Sequence, residues 1–171
     1  MNKFGKLSVL LTAVLTLLLG GCSNEPDTGP GKIRWDRDVC ERCVMAVSDP
    51  NFSAQIRGGP VDGKQKLYKF DDLGCAVIWL DEQDWKNNPA VEIWINHYQT
   101  GEWIDARKAW YVKNQLTPMN YGLGAQVEHA PGALNFEQAR THIYKIEEEL
   151  NLHGGGFHLA PPITPSKAPT K

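Results

Sequence analysis

Sulfur-bearing side chains are scarce in this chain, which has four cysteines and three methionines among its 171 residues. An excess of charge of one sign is also lacking, because 18 basic residues face 20 acidic residues and leave a formal net charge of −2. Without a basic stripe, the sequence predicts no nucleic-acid partner. The apolar run of residues 7–19 is too short for a confident membrane span.

That run belongs to a segment typical of an export signal. Lys3 and Lys6 precede it, no acid interrupts it, and it ends in "LGGC" at residues 19–22. In an ordinary secretory signal Cys22 would be incidental, but the small residues directly before it resemble a bacterial lipobox. The sequence therefore predicts a periplasmic protein held to the membrane by lipid on Cys22. Ser23 in place of an aspartate favours the outer membrane.

Composition divides the chain into four parts. Residues 1–21 are the predicted lipoprotein signal, and residues 22–31 are a predicted flexible, lipidated linker rich in proline and glycine. Residues 32–153 are the predicted folded region, a length that suits one compact domain or two very small ones. Residues 154–171 are a tail rich in proline and glycine, which is predicted to be disordered.

Within the folded region, hydrophobic periodicity predicts an α+β protein with two short helices on small sheets. The predicted strand segments are "FSAQIR" (52–57), "QKLYKF" (65–70), "AVEIWINHY" (90–98), "EWIDA" and "AWYVK". A helix is predicted after the two aspartates at 71 and 72, which can cap it, with a buried stripe of Leu73, Ala76, Val77 and Leu80.

A second helix is predicted from Asn135, where Gln138 completes a capping-box-like pair. Its predicted buried stripe is Phe136, Ala139, Ile143, Ile146 and Leu150. The segments "MAVSDPNFSAQI" (45–56) and "MNYGLGAQV" (119–127) both place a methionine ahead of a strand that begins with similar residues. This internal similarity indicates two ββα-like units.

The segment "CERCVM" at residues 40–45 concentrates the scarce sulfur. If Cys22 carries lipid, three cysteines remain, so at least one thiol stays free or binds something. Val44 stands where c-type haem attachment needs histidine, and a zinc knuckle would need a second cysteine or histidine pair. A disulfide between Cys40 and Cys43 would close a tiny loop and stabilise little. A thioredoxin-like pair would need a helix after it, whereas the following residues look extended.

Met45 distinguishes these alternatives, because thiolate and thioether ligands together select Cu(I). In an extended segment Cys43 and Met45 would point to the same face, and Cys40 could join them through a turn. Core packing is the ordinary role of an isolated methionine. Met119 lies in the loop "LTPMNYGLGA", which lacks an apolar stripe, so a core role there is less automatic.

The chain resembles the NosL family of copper-binding lipoproteins. The motifs that carry the resemblance are "DVCERCVMAVSDPNFSAQI", "LYKFDDLGCAVIWL", "EIWINHYQTGEWIDARKAWYV" and "TPMNYGLGA". The resemblance covers the lipobox and about residues 36–149. The resemblance implies an α+β fold of two related ββαβ units packed side by side. It also implies Cu(I) delivery, through a membrane complex that receives copper, for maturation of nitrous oxide reductase.

The resemblance further implies which residues bind the metal. Its cysteine and methionine correspond to Cys43 and Met45, its preceding cysteine to Cys40, and its "PM" methionine to Met119. A histidine is also associated with copper in that family, but none in this chain lies in a matching motif. We therefore expect a protein that is not an enzyme, with a periplasmic thiol–disulfide oxidoreductase using Cys40 and Cys43 as the alternative.

For three further residues in or near these motifs, the sequence allows two interpretations each. Asp71 and Asp72 are expected first as helix caps, and second as groups that support the sulfur site or bind a second metal. Cys75 is expected first as a small buried residue of the helix, and second as a third thiol ligand.

Overall fold

The computed structural model describes residues 26–150 of the chain. The predicted signal, Cys22 and the tail from residue 154 therefore lie outside the described residues. The elements occur in the following order: β1 (Ala54–Gly58), β2 (Lys66–Phe70), α1 (Leu73–Asp81), β3 (Glu92–Asn96), β4 (Trp103–Asp105), β5 (Trp110–Val112), β6 (Gly124–Gln126) and α2 (Phe136–Leu150). Neither α1 nor α2 is long and apolar enough to cross a membrane.

Strands β1 to β4 form one antiparallel sheet in the order β2-β1-β3-β4. The predicted hairpin is present, with Ala54 opposite Phe70 and Gly58 opposite Lys66. Strand β3 pairs with the other edge of β1, so β1 lies in the interior of the sheet and is buried along its whole length. The end of β2, at Phe70, therefore carries the chain directly to the start of α1.

Helix α1 begins where Asp72 caps it. The Asp72 side chain accepts a hydrogen bond from the backbone N–H of Gly74 at 3.2 Å, while its own backbone is extended. The helix contacts β1, β2 and α2, so it is covered on several sides. The predicted stripe is confirmed, because all four of its members are buried: Leu73, Ala76, Val77 and Leu80.

Helix α2 begins with the predicted capping box. The backbone N–H of Asn135 donates to Gln138 Oε1 at 2.9 Å, and the backbone N–H of Gln138 donates to Asn135 Oδ1 at 2.9 Å. The predicted stripe is wrong at its end, because Leu150 is 54% exposed and Glu147 is buried. Glu147 follows Ala139 and Ile143 at intervals of four residues, so it lies on the inward face of the helix.

The second sheet is small and joins the first. Strands β5 and β6 pair antiparallel, and the backbone N–H of Tyr98 donates to the carbonyl of Ala125 at 2.8 Å. A further bridge connects Tyr111 of β5 to Leu134. The expected α+β class, with short helices on two small antiparallel sheets, is therefore confirmed.

The two parts of the chain share the order strand, strand, helix. A closing strand, β3, follows α1, whereas no strand follows α2 within residues 26–150. The similar segments differ in place, because Ala54 begins the first strand of its pair and Ala125 lies in the second strand of its pair. The two similar sequence segments therefore occupy different strands of their hairpins.

Candidate metal centre

The segment from Cys40 to Met45 forms a tight loop at the end of an isolated bridge between Val39 and Ala46. The backbone N–H of Cys40 donates to the carbonyl of Met45 at 2.8 Å, and the N–H of Val44 donates to the carbonyl of Cys40 at 3.0 Å. These bonds close the chain on itself and hold the loop in one conformation.

Val44 adopts a left-handed backbone conformation with φ of 62°. A β-branched residue rarely does so, and such conformations persist where the surrounding structure enforces them. The predicted extended conformation of residues 43–45 is therefore wrong. The predicted common face of Cys43 and Met45, which required an extended segment, therefore does not follow from the backbone.

The loop brings two thiols against the start of α1. Cys40, Cys43, Asp71 and Cys75 each offer a ligand atom, and these atoms lie within 4.8 Å of one another. Cys40 and Cys43 come from the loop, Asp71 from the connection between β2 and α1, and Cys75 from the first turn of α1. Residues that are 35 positions apart in the chain thus form a group of four donors that can hold a metal ion.

The four groups differ in their access to solvent. Cys40, Asp71 and Cys75 are buried, whereas Cys43 is half-buried and is the cluster's exposed member. The Cys43 thiol donates toward the Asp71 carboxylate, whose oxygens lie 3.3 and 3.5 Å from its sulfur. All three thiols are free, so no disulfide occupies them.

The cluster separates the pKa values of its thiols. A hydrogen bond from Cys75, helped by the Met45 backbone and by Cys40, lowers the pKa of Cys43 to about 7, against the opposing effects of burial and of the Asp71 charge. Hydrogen bonds with Cys40 and Cys43, together with burial, raise the pKa of Cys75 far above its usual range. Of these two thiols, Cys43 therefore forms the thiolate more readily, and Cys75 stays protonated.

Asp72 does not belong to this group of four and points elsewhere. Its second carboxylate oxygen accepts from the backbone N–H of Met119 at 3.1 Å, and Thr117 also contacts the carboxylate. Burial raises the pKa of Asp72 to about 6, although these hydrogen bonds oppose the shift. Asp72 thus holds the loop of Met119 against the helix that carries Cys75.

The two predicted methionine ligands have different surroundings. Met45 is 52% exposed on the outer side of the loop, and Met119 is half-buried against the hydrophobic core. Their roles as copper ligands stay predictions. The group of four donors contains no histidine. His142 instead places its Nε2 3.0 Å from the carbonyl of Tyr121.

Sequence reasoning missed the group that fastens the loop. Arg42, between the two loop cysteines, forms a salt bridge of 2.9 Å with Glu147 of α2. The Tyr121 hydroxyl also donates to Glu147, and Arg42 Nη1 lies 3.3 Å from that hydroxyl oxygen. The spacing of Glu147 on the inward face of α2 was the available signal, since a buried acid needs a cation.

Comparison with known proteins gives one structural similarity to report. No family model and no curated protein matches the chain. Among solved structures, the chain is similar to the copper chaperone NosL from Shewanella denitrificans, with 15% sequence identity and a TM-score of 0.45. The match covers 70% of this chain and 88% of that chain.

Proposed function

We propose that this chain is a Cu(I) carrier rather than an enzyme. One observation carries the proposal: Cys40, Cys43 and Cys75 place three sulfur atoms, beside the Asp71 carboxylate, within 4.8 Å of one another. Thiolates are the ligands that Cu(I) prefers, and two or three of them suffice for it. The cluster supports metal binding by two of the four predicted ligands, Cys40 and Cys43, and adds Cys75, which the sequence offered as a possible third thiol ligand.

Zinc is the competing metal for this donor set. The sequence showed no second pair of ligands that could complete a zinc site. The fold brings two further ligands, Asp71 and Cys75, to the loop cysteines. A tetrahedral zinc site takes three cysteines with a carboxylate less often than four nitrogen or sulfur ligands. Met45, at the end of the loop, favours Cu(I), because a thioether contributes to copper binding and rarely to zinc binding.

The unequal burial of the three thiols suits transfer of Cu(I) to an acceptor protein. Cys43 is half-buried, so an acceptor's ligand can reach the metal from that side while Cys40 and Cys75 hold it from within. Each thiol that becomes a thiolate ligand releases one proton, and the lowered pKa of Cys43 lets it give up its proton more readily than Cys75. Ligand exchange through Cys43 then passes Cu(I) on without oxidation or reduction.

We further propose the setting in which the carrier works. The protein is held to the periplasmic side of the membrane, with the outer membrane favoured, by lipid on Cys22. It delivers copper to the membrane complex that serves maturation of nitrous oxide reductase. The lipobox-like residues 19–22 and the resemblance of the sequence motifs to NosL support this setting.

An anaerobic Cu(I) titration in competition with a chelator tests copper binding, with X-ray absorption to identify the ligands. We expect sulfur-only coordination, a large loss of affinity in Cys43→Ser and Cys75→Ala, and a smaller loss in Cys40→Ser. A parallel titration with Zn(II) should show weaker binding. Equal Cu(I) binding by thiol-blocked and untreated protein would exclude this cluster as the copper site.

A thiol–disulfide oxidoreductase is the second candidate, because the lowered pKa of Cys43 also suits an attacking thiolate. Burial of Cys40 opposes it, since a resolving thiol must meet the mixed disulfide. An insulin-reduction assay separates the two functions. Turnover that requires Cys43 and Cys40, together with unchanged Cu(I) affinity in Met45→Leu, would favour the oxidoreductase.

A further inference from the structure

A basic groove lies on the sheet beside the β1–β2 hairpin, between the hairpin and the chain segment that leads into the fold. Its volume is about 820 Å³, which is in the range of ligand sites. Asp27 is the one acid among its lining residues. The six basic lining residues are Lys32, Arg34, Arg57, Lys64, Lys66 and Lys69. Such a concentration of cations is unexpected in a chain whose net charge is negative.

Arg57 is the member of this groove that indicates a ligand. It lies in the interior strand β1 and is 6% exposed. Its Nε donates to the carbonyl of Gly29 at 3.0 Å, but its Nη2 is buried and has no hydrogen-bond partner. A buried charged donor without an acceptor costs free energy, so an acceptor from outside the chain would remove that cost.

The neighbouring cations divide into two kinds. Arg34 and Lys69 both contact the Asp38 carboxylate at 2.7 Å, so this one negative charge balances part of theirs. Lys32, Lys64 and Lys66 are exposed and take part in none of the ion pairs formed by residues 26–150. Asp27 lines the groove and Glu92 lies opposite Arg57 on β3, so Arg57 and these three lysines leave an excess of positive charge there.

We propose that this groove binds a phosphate group. A phosphate oxygen accepts from the guanidinium of Arg57, which offers planar donors, and the exposed lysines supply point charges around it. The neighbouring backbone holds Arg57 ready, because Gly31 and the Gln55 side chain exchange hydrogen bonds of 2.7 and 3.0 Å. This pair fixes the incoming segment on β1 next to the Arg57–Gly29 contact.

The phosphate source that the chain favours is a lipid headgroup. Pro26 lines the groove, and Cys22 precedes it by four residues, which span at most about 14 Å when extended. If Cys22 is the lipid anchor, as proposed above, the groove lies close to the headgroups and their phosphodiesters. The phosphate site itself does not depend on that anchor, since Arg57 and the lysines are its evidence.

Calorimetry on the full chain, purified in a nonionic detergent, tests the proposal with water-soluble probes. These are inorganic phosphate, glycerophosphoglycerol as an anionic headgroup, and glycerophosphocholine as a headgroup whose ammonium the groove should repel. We expect glycerophosphoglycerol to bind more tightly than glycerophosphocholine. If inorganic phosphate binds tightly and neither headgroup binds, the groove is a phosphate site but its ligand is not a lipid headgroup.

Three variants locate the binding. Arg57→Gln should weaken binding at least tenfold, and the exposed double variant Lys64→Gln/Lys66→Gln should weaken it severalfold without affecting folding. Lys145→Gln on α2 removes an equally exposed charge elsewhere and should bind like the wild type. Wild-type binding in the double variant, no binding of any phosphate probe, or tighter binding of an acidic peptide would overturn the proposal.

The same variants separate this inference from the proposed copper function. Arg57→Gln and the lysine double variant should keep wild-type Cu(I) affinity, and Cys43→Ser should keep wild-type phosphate binding. If Cys43→Ser loses only copper binding and Arg57→Gln loses only phosphate binding, the two sites are independent. A wild-type protein that binds copper but no phosphate probe would contradict this inference alone, and one that binds phosphate but no copper would contradict the proposed function alone.

Discussion

Arg42 and Glu147 form a salt bridge of 2.9 Å with side chains that are 8% and 1% exposed, although 105 residues separate them. Glu147 also accepts from the Tyr121 hydroxyl, so one buried carboxylate serves two partners. Burial would lower the pKa of Arg42, but the contact with Glu147 outweighs it and raises that pKa. The loop that holds Cys40 and Cys43 is thereby fastened to α2.

Breaking this pair on one side should destabilise the fold. Glu147→Leu leaves the buried Arg42 charge and the Tyr121 hydroxyl without their carboxylate, so we expect the free energy of unfolding to fall by about 3 kcal/mol. The triple variant Arg42→Met/Tyr121→Phe/Glu147→Leu removes the polar groups of all three side chains together, so its free energy of unfolding should fall less. Urea unfolding measures both, and Lys145→Leu, from an exposed pair, should change stability little. Equal losses in the single and triple variants would contradict this account.

A second prediction concerns Gly74, in the first turn of α1. A Cβ at this position would lie 2.2 Å from the Tyr121 ring, which packs directly on the helix. Helix propensity alone favours Gly74→Ala by about 1 kcal/mol. The steric overlap is larger in effect, because overpacking costs about 1–3 kcal/mol and this ring is already held by Glu147. We expect Gly74→Ala to lower the thermal midpoint, whereas a raised midpoint would contradict the close packing.

Local signals predicted the local parts of this fold. The stripe of α1 and the capping box of Asn135 and Gln138 depend on neighbours within a few residues, and both are confirmed. Helical spacing after Ala139 and Ile143 allowed Glu147 an inward position, but burial of an acidic residue depends on its partner, and Arg42 is distant in the chain. The conformation of Val44 contradicts the extended propensity of a β-branched residue, since the hydrogen bonds of the loop enforce it.

The candidate site was also predictable only where it depends on residues that are close in the sequence. Cys40 and Cys43 are three positions apart in the sequence, so their closeness follows from spacing. Cys75 was expected first as a buried helix residue, and it is buried. Its place beside the two loop thiols depends on how the loop folds over the start of α1, a tertiary contact that no periodicity records.

A third prediction concerns acid stability through Asp38. Burial would raise the pKa of this carboxyl, but hydrogen bonds and charge from Arg34 and Lys69 outweigh it and lower the pKa to about 2. Between the ordinary value of 3.8 and about 2, the unfolded chain binds more protons at this residue than the folded chain. The stabilisation is therefore complete above pH 4 and is lost as the pH falls through 2.

Urea unfolding as a function of pH checks this sign. The difference in free energy of unfolding between wild type and Asp38→Asn should shrink as the pH falls from 4 to 2. Asp36→Asn provides a nearby control, because that exposed carboxylate forms no ion pair within the described part of the chain. A difference that stays constant over this range would contradict the lowered pKa.

A fourth prediction concerns the reactivity of Cys43 without metal. Its alkylation rate should rise with a midpoint near pH 7 in the folded protein and near pH 9 in urea, because the cluster lowers its pKa to about 7. Asp71→Asn removes a negative charge that raises this pKa, so the midpoint should move lower. Mass spectrometry of the Cys43 peptide measures the rate, and faster labelling of buried Cys40 or Cys75 would contradict the cluster.

The last prediction concerns the two thioethers. Leucine keeps the size and apolarity of methionine, so Met45→Leu and Met119→Leu should each cost less than about 1.5 kcal/mol of stability. Met45 is half-exposed, and its backbone carbonyl, which the side-chain change leaves in place, holds Cys40. Met119 is fixed at the helix start through Asp72. If both bind copper, each change should lower Cu(I) affinity tenfold or more, on the order of 1.4 kcal/mol.

A chelator competition run beside a thermal melt separates ligation from packing for each methionine. Ligation predicts a nearly unchanged melt with a large loss of Cu(I) affinity, because the sulfur is lost while the apolar volume stays. A packing role predicts a lowered thermal midpoint with unchanged Cu(I) affinity, most clearly for Met119, which contacts the core. If affinity is unchanged in both variants, Cu(I) is held by Cys40, Cys43 and Cys75 alone, and X-ray absorption should then show three equivalent sulfur ligands.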